Sequence, residues 1–190
     1  DVVEPETELV VEIEVKPKYH HDSEVNEALR EVRVYKVGDY YNENGMEGVV
    51  FDVWDGGRHG KIVSLDQAYL KWCRSSQCEI VVGASDASDG KANTDKVMSR
   101  MDSNDYPAFT WCRAKSADWY LPAKDELKTI FNNVQTINKT LNQYGQVLRF
   151  NEYSYWSSTE CDESKAWSIG SFGGNTLKYY KNVVRAVATF

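Results

Sequence analysis

The chain has 190 residues, 42% of them hydrophobic, a length that suits one domain with a short appendage. Its net charge is -7 with 22 basic and 29 acidic side chains. With no Lys/Arg cluster, nucleic acid and anionic membranes are excluded as main partners. No apolar run approaches the roughly 18 residues of a membrane helix. No secretory leader is recognisable in the opening "DVVEPETELVV", and the start without Met suits a processed chain.

In chain order, residues 8–16, "ELVVEIEVK", alternate from Val11, with Val11, Ile13 and Val15 on one side and Glu12, Glu14 and Lys16 on the other. That period predicts a half-buried strand. "SEVNEALREV" (23–32) reads either as a short helix capped by Ser23 or as a charged loop. Residues 1–35 form an arm or linker in this reading, and 36–190 the main domain. From Val37 glycine punctuation separates apolar runs. Asn44-Gly45 predicts a tight turn. "GVVFDVW" and "GKIVSL" predict strands joined at "DGGRHG", a hairpin turn that lacks the spacing of a phosphate-binding loop.

"SLDQAYLKWC" places Leu65, Ala68, Tyr69 and Trp72 at helical spacing. Residues 83–107 read as a polar loop. "PAFTWCRAK" predicts a helix from Pro107, and "ADWYLP" an extended piece. Residues 123–145 predict one long helix, with Leu127, Ile130, Phe131, Val134 and Ile137 on one face and Gly145 as its stop. "EYSYWSSTE", "KAWSIGSF", "TLKYYKN" and "VVRAVATF" predict a C-terminal antiparallel sheet, its closing strands paired with those near residue 50. The fold class is therefore α+β, with two main helices between antiparallel hairpins.

Candidate chemistry is sparse. "YWSSTE" (155–160) offers three hydroxyls and Glu160, but no G-x-S-x-G elbow surrounds them, and none of His20, His21 and His59 is placed as their base. No pair of carboxylates stands out for glycoside hydrolysis. Asp86, Asp89, Asn93 and Asp95 have calcium-like composition without EF-hand spacing, and Asp and Asn also make turns unaided. Four cysteines permit three full pairings. "CRSSQC" would close a Cys73–Cys78 loop in an exported protein. The favoured reading is ordinary thiols, with Cys73 and Cys112 buried beside Trp72 and Trp111, because no dense disulfide scaffold is evident. No metal or cofactor is expected. The tail from Tyr153 mixes Tyr, Ser, Asn, Gly and Asp, the residue types of adaptable binding loops.

"YPAFTWCRAK", "WYLPAKDEL", "YWSSTE", "AWSIGSF" and "VVRAVATF", in this order, with "GVVFDVWDGGRHGKIVSL" and "DGKANT" upstream, resemble a C-type-lectin-like family related to formylglycine-generating-enzyme-like domains of gut bacterial surface proteins. The resemblance covers residues 36–190. It implies a C-type-lectin-like α+β fold with adjacent termini and a loop-rich ligand face. The calcium-dependent lectin signatures and the paired cysteines of the formylglycine enzyme have no match. A narrower resemblance, to the variable proteins of diversity-generating retroelements, rests on the frame "YWSSTE…AW…F…K…VRAV…F".

By that resemblance the ligand-facing, diversified positions are Asp162, Ser164, Ser168, Gly170, Ser171, Asn175, Leu177, Tyr179, Tyr180 and Asn182, with Tyr153 at the edge of the face. Most of these types are reachable from an Asn codon by adenine changes, as is Cys161, whereas Glu163 is not. Trp156, Trp167, Phe172 and the last strand would be the scaffold. The expected protein is a non-enzymatic receptor-binding module at a cell surface, in the extracellular space or on a phage virion. Its partner would be a protein or glycan on another surface. The alternatives are an adhesin or pilus-type component, with residues 1–35 donating or docking a strand, and, less favoured, a formylglycine-generating-like enzyme.

Overall fold

The computed structural model describes residues 33–74 and 78–190. The strand expected over 8–16 and the helix or loop over 23–32 lie outside the described residues. Among these there are four α-helices and two mostly antiparallel sheets. The first sheet has the order β1-β2-β3-β9: β1 (Tyr40–Glu43), β2 (Met46–Trp54), β3 (His59–Ser64) and β9 (Val187–Thr189). Asn44 and Gly45 both have positive φ, 54° and 74°, and close the β1–β2 hairpin as a mirror-image turn requires. A turn at Asp55–Gly57 joins β2 to β3, as the glycine-rich "DGGRHG" predicts.

The second sheet runs β4-β8-β5-β6-β7: β4 (Ala68–Lys71), β5 (Ser154–Glu160), β6 (Lys165–Gly170), β7 (Gly174–Leu177) and β8 (Lys181–Val184). Only β9 among the closing strands joins the sheet around residue 50, and it does so through β3, pairing Ile62 with Ala188. The C-terminal strands are also not wholly antiparallel, since β5 and β8 meet in parallel at Tyr155 and Val183.

Strand β5 is the centre of the second sheet, and all seven of its residues are buried. Side chains alternate across a strand. Trp156 enters one apolar cluster with Trp72, Phe109 and Val184, and Tyr155 enters the other with Phe51, Leu127 and Val187. A strand covered on both faces has no solvent side, which explains an unbroken buried run through three hydroxyls and a carboxylate.

Three expectations are corrected. The helical spacing of Leu65, Ala68, Tyr69 and Trp72 is coincidental: Ala68–Lys71 is strand β4, paired in register with Lys181–Val184. The bare edge of β8 needs backbone partners, and this demand overrides a four-residue pattern. The polar loop over 83–107 holds helix α1 (Gly90–Met98). Its buried side is Gly90, Asn93, Thr94 and Val97, so hydrogen bonds rather than apolar periodicity seat it. Asp89 caps it by accepting from the Ala92 N–H at 2.8 Å. The long helix is two: after α2 (Pro107–Arg113) come α3 (Lys124–Asn132) and α4 (Val134–Leu141), broken at Asn133. The Asn133 amide bonds back to the Thr129 carbonyl at 3.1 Å, an alternative to helix continuation that Asn offers readily.

A fourth correction concerns the thiols. Cys73 and Cys78 are joined by a disulfide, while Cys112 and Cys161 are free. Closing so short a loop constrains the unfolded chain by about 2 kcal/mol in the chain-entropy model. Reduction by dithiothreitol, followed by urea unfolding, is expected to show a loss of that order. No change in midpoint would mean that packing alone holds the segment.

Candidate functional site

The hydroxyls of "YWSSTE" are committed to structure. Ser157 Oγ donates to the Trp167 carbonyl at 2.8 Å. Ser158 Oγ accepts from Asn93 Nδ2 at 3.1 Å. Thr159 Oγ1 donates to the Asp86 carbonyl and accepts from the Lys124 N–H. Glu160 is equally occupied. It accepts from the Val82 and Gly83 N–H groups at 2.9 and 2.8 Å and pairs with Lys178 Nζ at 2.5 Å. Lys178, fully buried, also donates to the carbonyls of Ile80 and Glu163 and sits 4.8 Å above the Trp72 ring. The pair clamps the segment after the disulfide against the base of the β7–β8 turn.

The other candidate chemistry is likewise accounted for. His59 stands in the first sheet, 3.9 Å from Asp55 and half-exposed, in a different sheet from "YWSSTE". Burial pushes the Cys161 thiol up to about 11 and the Cys112 thiol higher still, so both stay protonated at neutral pH. Asp86 and Asp89 spend their carboxylates on backbone N–H groups of the turn before α1. Among the described residues no three His, Cys, Asp or Glu side chains group as metal ligands.

Of the ligand-facing candidates, Asn175, Leu177, Tyr180 and Asn182 come together. They line a groove of about 520 Å³ with Tyr69, Lys165, Phe172, Thr176 and Lys181. Tyr179 is exposed beside it, its ring 4.8 Å from that of Tyr180. Asn182 has a buried Nδ2 with no acceptor among the described residues. Tyr153 lies apart, in a second groove of about 530 Å³ formed with Gln67, Tyr69, Gly145, Gln146, Val147, Arg149 and Val183. Both grooves share Tyr69, which is 59% exposed.

The remaining candidates do structural work. Ser168 is only 2% exposed and bonds Thr176 Oγ1 at 2.8 Å across β6–β7. Alternation along β6 turns it to the same side as buried Ala166. Gly170 has φ +141°, and a Cβ there would lie 2.0 Å from the Tyr153 carbonyl oxygen. Ser171 is exposed but bonds the Asn151 carbonyl. Asp162 accepts from the N–H groups of Ser164 and Lys165 at 2.8 Å each, and from Ser164 Oγ at 3.0 Å, shaping the β5–β6 turn. The Ser164 N–H first, then its hydroxyl, hold the Asp162 carboxyl below the usual range. Phe172, expected in the scaffold, is 83% exposed and walls the groove, whereas Trp167 is half-buried under Lys124 Nζ at 4.8 Å.

Sequence reasoning missed Tyr69, Lys165 and Lys181. Lys165 and Lys181 flank the named positions in sequence. Tyr69 comes from β4, over a hundred residues upstream of Asn182, and is aligned by the Tyr69–Val183 register. Reading "AYLK" with period two would have turned Tyr69 outward.

The sequence matches no known family model and no curated protein. The fold is shared with a solved structure, a fimbrial protein from Bacteroides ovatus ATCC 8483. The two superpose with a TM-score of 0.64 at 18% identity, over 82% of this chain and 49% of that one. The chain thus spans about half the length of that protein.

Proposed function

We propose that residues 36–190 form a non-enzymatic, C-type-lectin-like binding module of a surface adhesin or fimbrial component, contacting its ligand through the groove along β6–β8. The fimbrial neighbour supports the adhesin side of this reading. The likeness to a C-type-lectin-like fold is supported by entry and exit segments that lie together: the Tyr35 ring packs 5.2 Å from that of Phe190. The observation that carries the binding reading is the groove itself. Exposed Tyr69, Phe172 and Tyr180 surround an Asn182 amide with an unspent donor. Aromatic walls supply area at low ordering cost, and a convergent polar group supplies direction.

The test is cell and glycan-array binding by the labelled chain. Tyr180→Ala and Asn182→Ala are expected to lower binding about tenfold each, with unchanged melting temperature. Full binding by both variants would refute this face as the contact surface.

Retroelement diversification is a second reading, favoured by the outward placement of Asn175, Tyr179 and Tyr180. Under it, only those positions and their exposed neighbours would vary freely. A near-copy of the 3′ coding segment, differing mainly at adenines and lying beside a reverse transcriptase gene, would support it. Sequencing the neighbouring DNA and finding none would sink it.

A further inference from the structure

We propose that the second groove, between β4 and the 145–149 loop, binds an acidic saccharide whose carboxylate is drawn to the corner made by Gln67 and Arg149, in front of the buried Arg185. The groove lies outside the β6–β8 groove and shares only Tyr69 with it.

A buried cation stands behind this groove with no ion pair among the described residues; the carboxylate whose charge reaches it, Asp66, is itself paired with Lys115. Arg185 is 1% exposed. Its guanidinium donates to the carbonyls of Ser64 (2.7 Å), Leu65 and Val147 (3.2 Å) and, through Nε, to Gln67 Oε1 at 3.2 Å. All four acceptors are neutral. Among the described residues no carboxylate pairs with it, and one of its five N–H donors has no acceptor. Burial pushes its pKa down to about 10, so it stays charged at neutral pH. A desolvated, unpaired charge is costly and makes a strong local field.

Two of its four acceptors, Gln67 and Val147, are also groove wall. With Gln67 Oε1 turned to Arg185, the Gln67 Nε2 donors are directed away from it and are free for a ligand. Arg149 stands on the rim. Its pair with Glu152, at 3.2 Å, is about half-exposed on both sides and is therefore weak. The nearby Asp66 is held by Lys115 at 2.5 Å. Counting Arg185, Arg149 and Lys115 against Glu152 and Asp66 leaves a local charge of +1, on a chain whose net charge is -7.

The rest of the groove favours a sugar over a peptide. The half-exposed Tyr69 and Tyr153 offer ring faces and hydroxyls, and Gln67 and Gln146 offer neutral amides. Ring platforms with scattered neutral polar groups and one cationic corner match a polyol that carries one carboxylate. A volume of about 530 Å³ lies within the range of small-molecule sites.

The experiment titrates the full chain with methyl β-D-glucuronide, methyl β-D-glucoside and tri-glutamate, reading amide shifts by NMR. The glucuronide is expected to shift Gln67, Tyr69 and Gly145 to Val147. The neutral glucoside should bind about tenfold more weakly, the loss of one charge-assisted contact. Arg149→Gln should weaken glucuronide binding about threefold while leaving the melting temperature unchanged. Tyr180→Ala should leave it unaltered, which separates this site from the β6–β8 groove. Equal binding of glucuronide and glucoside, no shift at these residues up to the solubility limit, or a stronger response to tri-glutamate would each overturn the proposal.

Discussion

Replacing Lys178 by Met is expected to destabilise the fold by about 3–5 kcal/mol, the usual cost of leaving one partner of a buried pair uncompensated. The Glu160 carboxylate would keep only the Val82 and Gly83 N–H groups in place of an ammonium at 2.5 Å. The carbonyls of Ile80 and Glu163 would lose their donor as well. For a domain of this size the melting temperature should fall by roughly 10 °C. The double variant Glu160→Gln/Lys178→Met removes both charges and keeps an acceptor for one of the two N–H groups, at the cost of turning an amide NH2 towards the other. It should therefore lie closer to the wild type than Lys178→Met alone. Urea unfolding of all four proteins closes the cycle. A Lys178→Met loss under about 1 kcal/mol would show that water or a shifted carbonyl replaces the ammonium, and the clamp would lose its importance.

The second large effect concerns Gly170, one of the positions assigned to the variable face by resemblance. Gly170→Asn is expected to cost roughly 3 kcal/mol, from a strained positive φ and forced overpacking of β5. The added Cβ would meet backbone, the Tyr153 carbonyl oxygen at 2.0 Å and Ser154 Cα at 2.8 Å, so no rotamer relieves it. Asn175→Gly, one turn further on in β7, should change stability by less than about 1 kcal/mol. Thermal melting of both variants checks the contrast. Equal melting temperatures would mean that β6 and β7 shift freely, and the segment 161–182 would then tolerate change throughout. The expected contrast divides that segment into a fixed frame, Asp162, Ser168 and Gly170, and free tips, Asn175, Tyr179 and Tyr180.

Much of the fold was legible where one physical signal dominated. Asn44-Gly45, the glycine turn at 55–57, Pro107 at a helix start and the aromatic strands after 152 each follow from local chemistry. Helix α1 was not legible because its buried side is Asn93 and Thr94, whose partners, Asp86, Ser158 and Leu121, are distant or off-pattern. Strand β4 was not legible because its pairing with β8 joins residues over a hundred positions apart. The site was half legible for the same reason. Tyr180 and Asn182 stand in the expected stretch, but the ring that completes their groove arrives with β4. Ser168 and Gly170 have the composition of binding residues and the geometry of scaffold, a distinction that only tertiary neighbours make.

Tyr69 has one further consequence. A single half-free side chain that walls both grooves makes them thermodynamically linked. A ligand that fixes the Tyr69 rotamer in one groove has already met an ordering cost that a second ligand would otherwise bear. If both need the same rotamer, each raises the other's affinity by the same factor; if they need different rotamers, each lowers it equally. Bivalent recognition or mutual exclusion would then turn on the χ1 preference of one tyrosine, and Tyr69→Ala would uncouple the two grooves while weakening both.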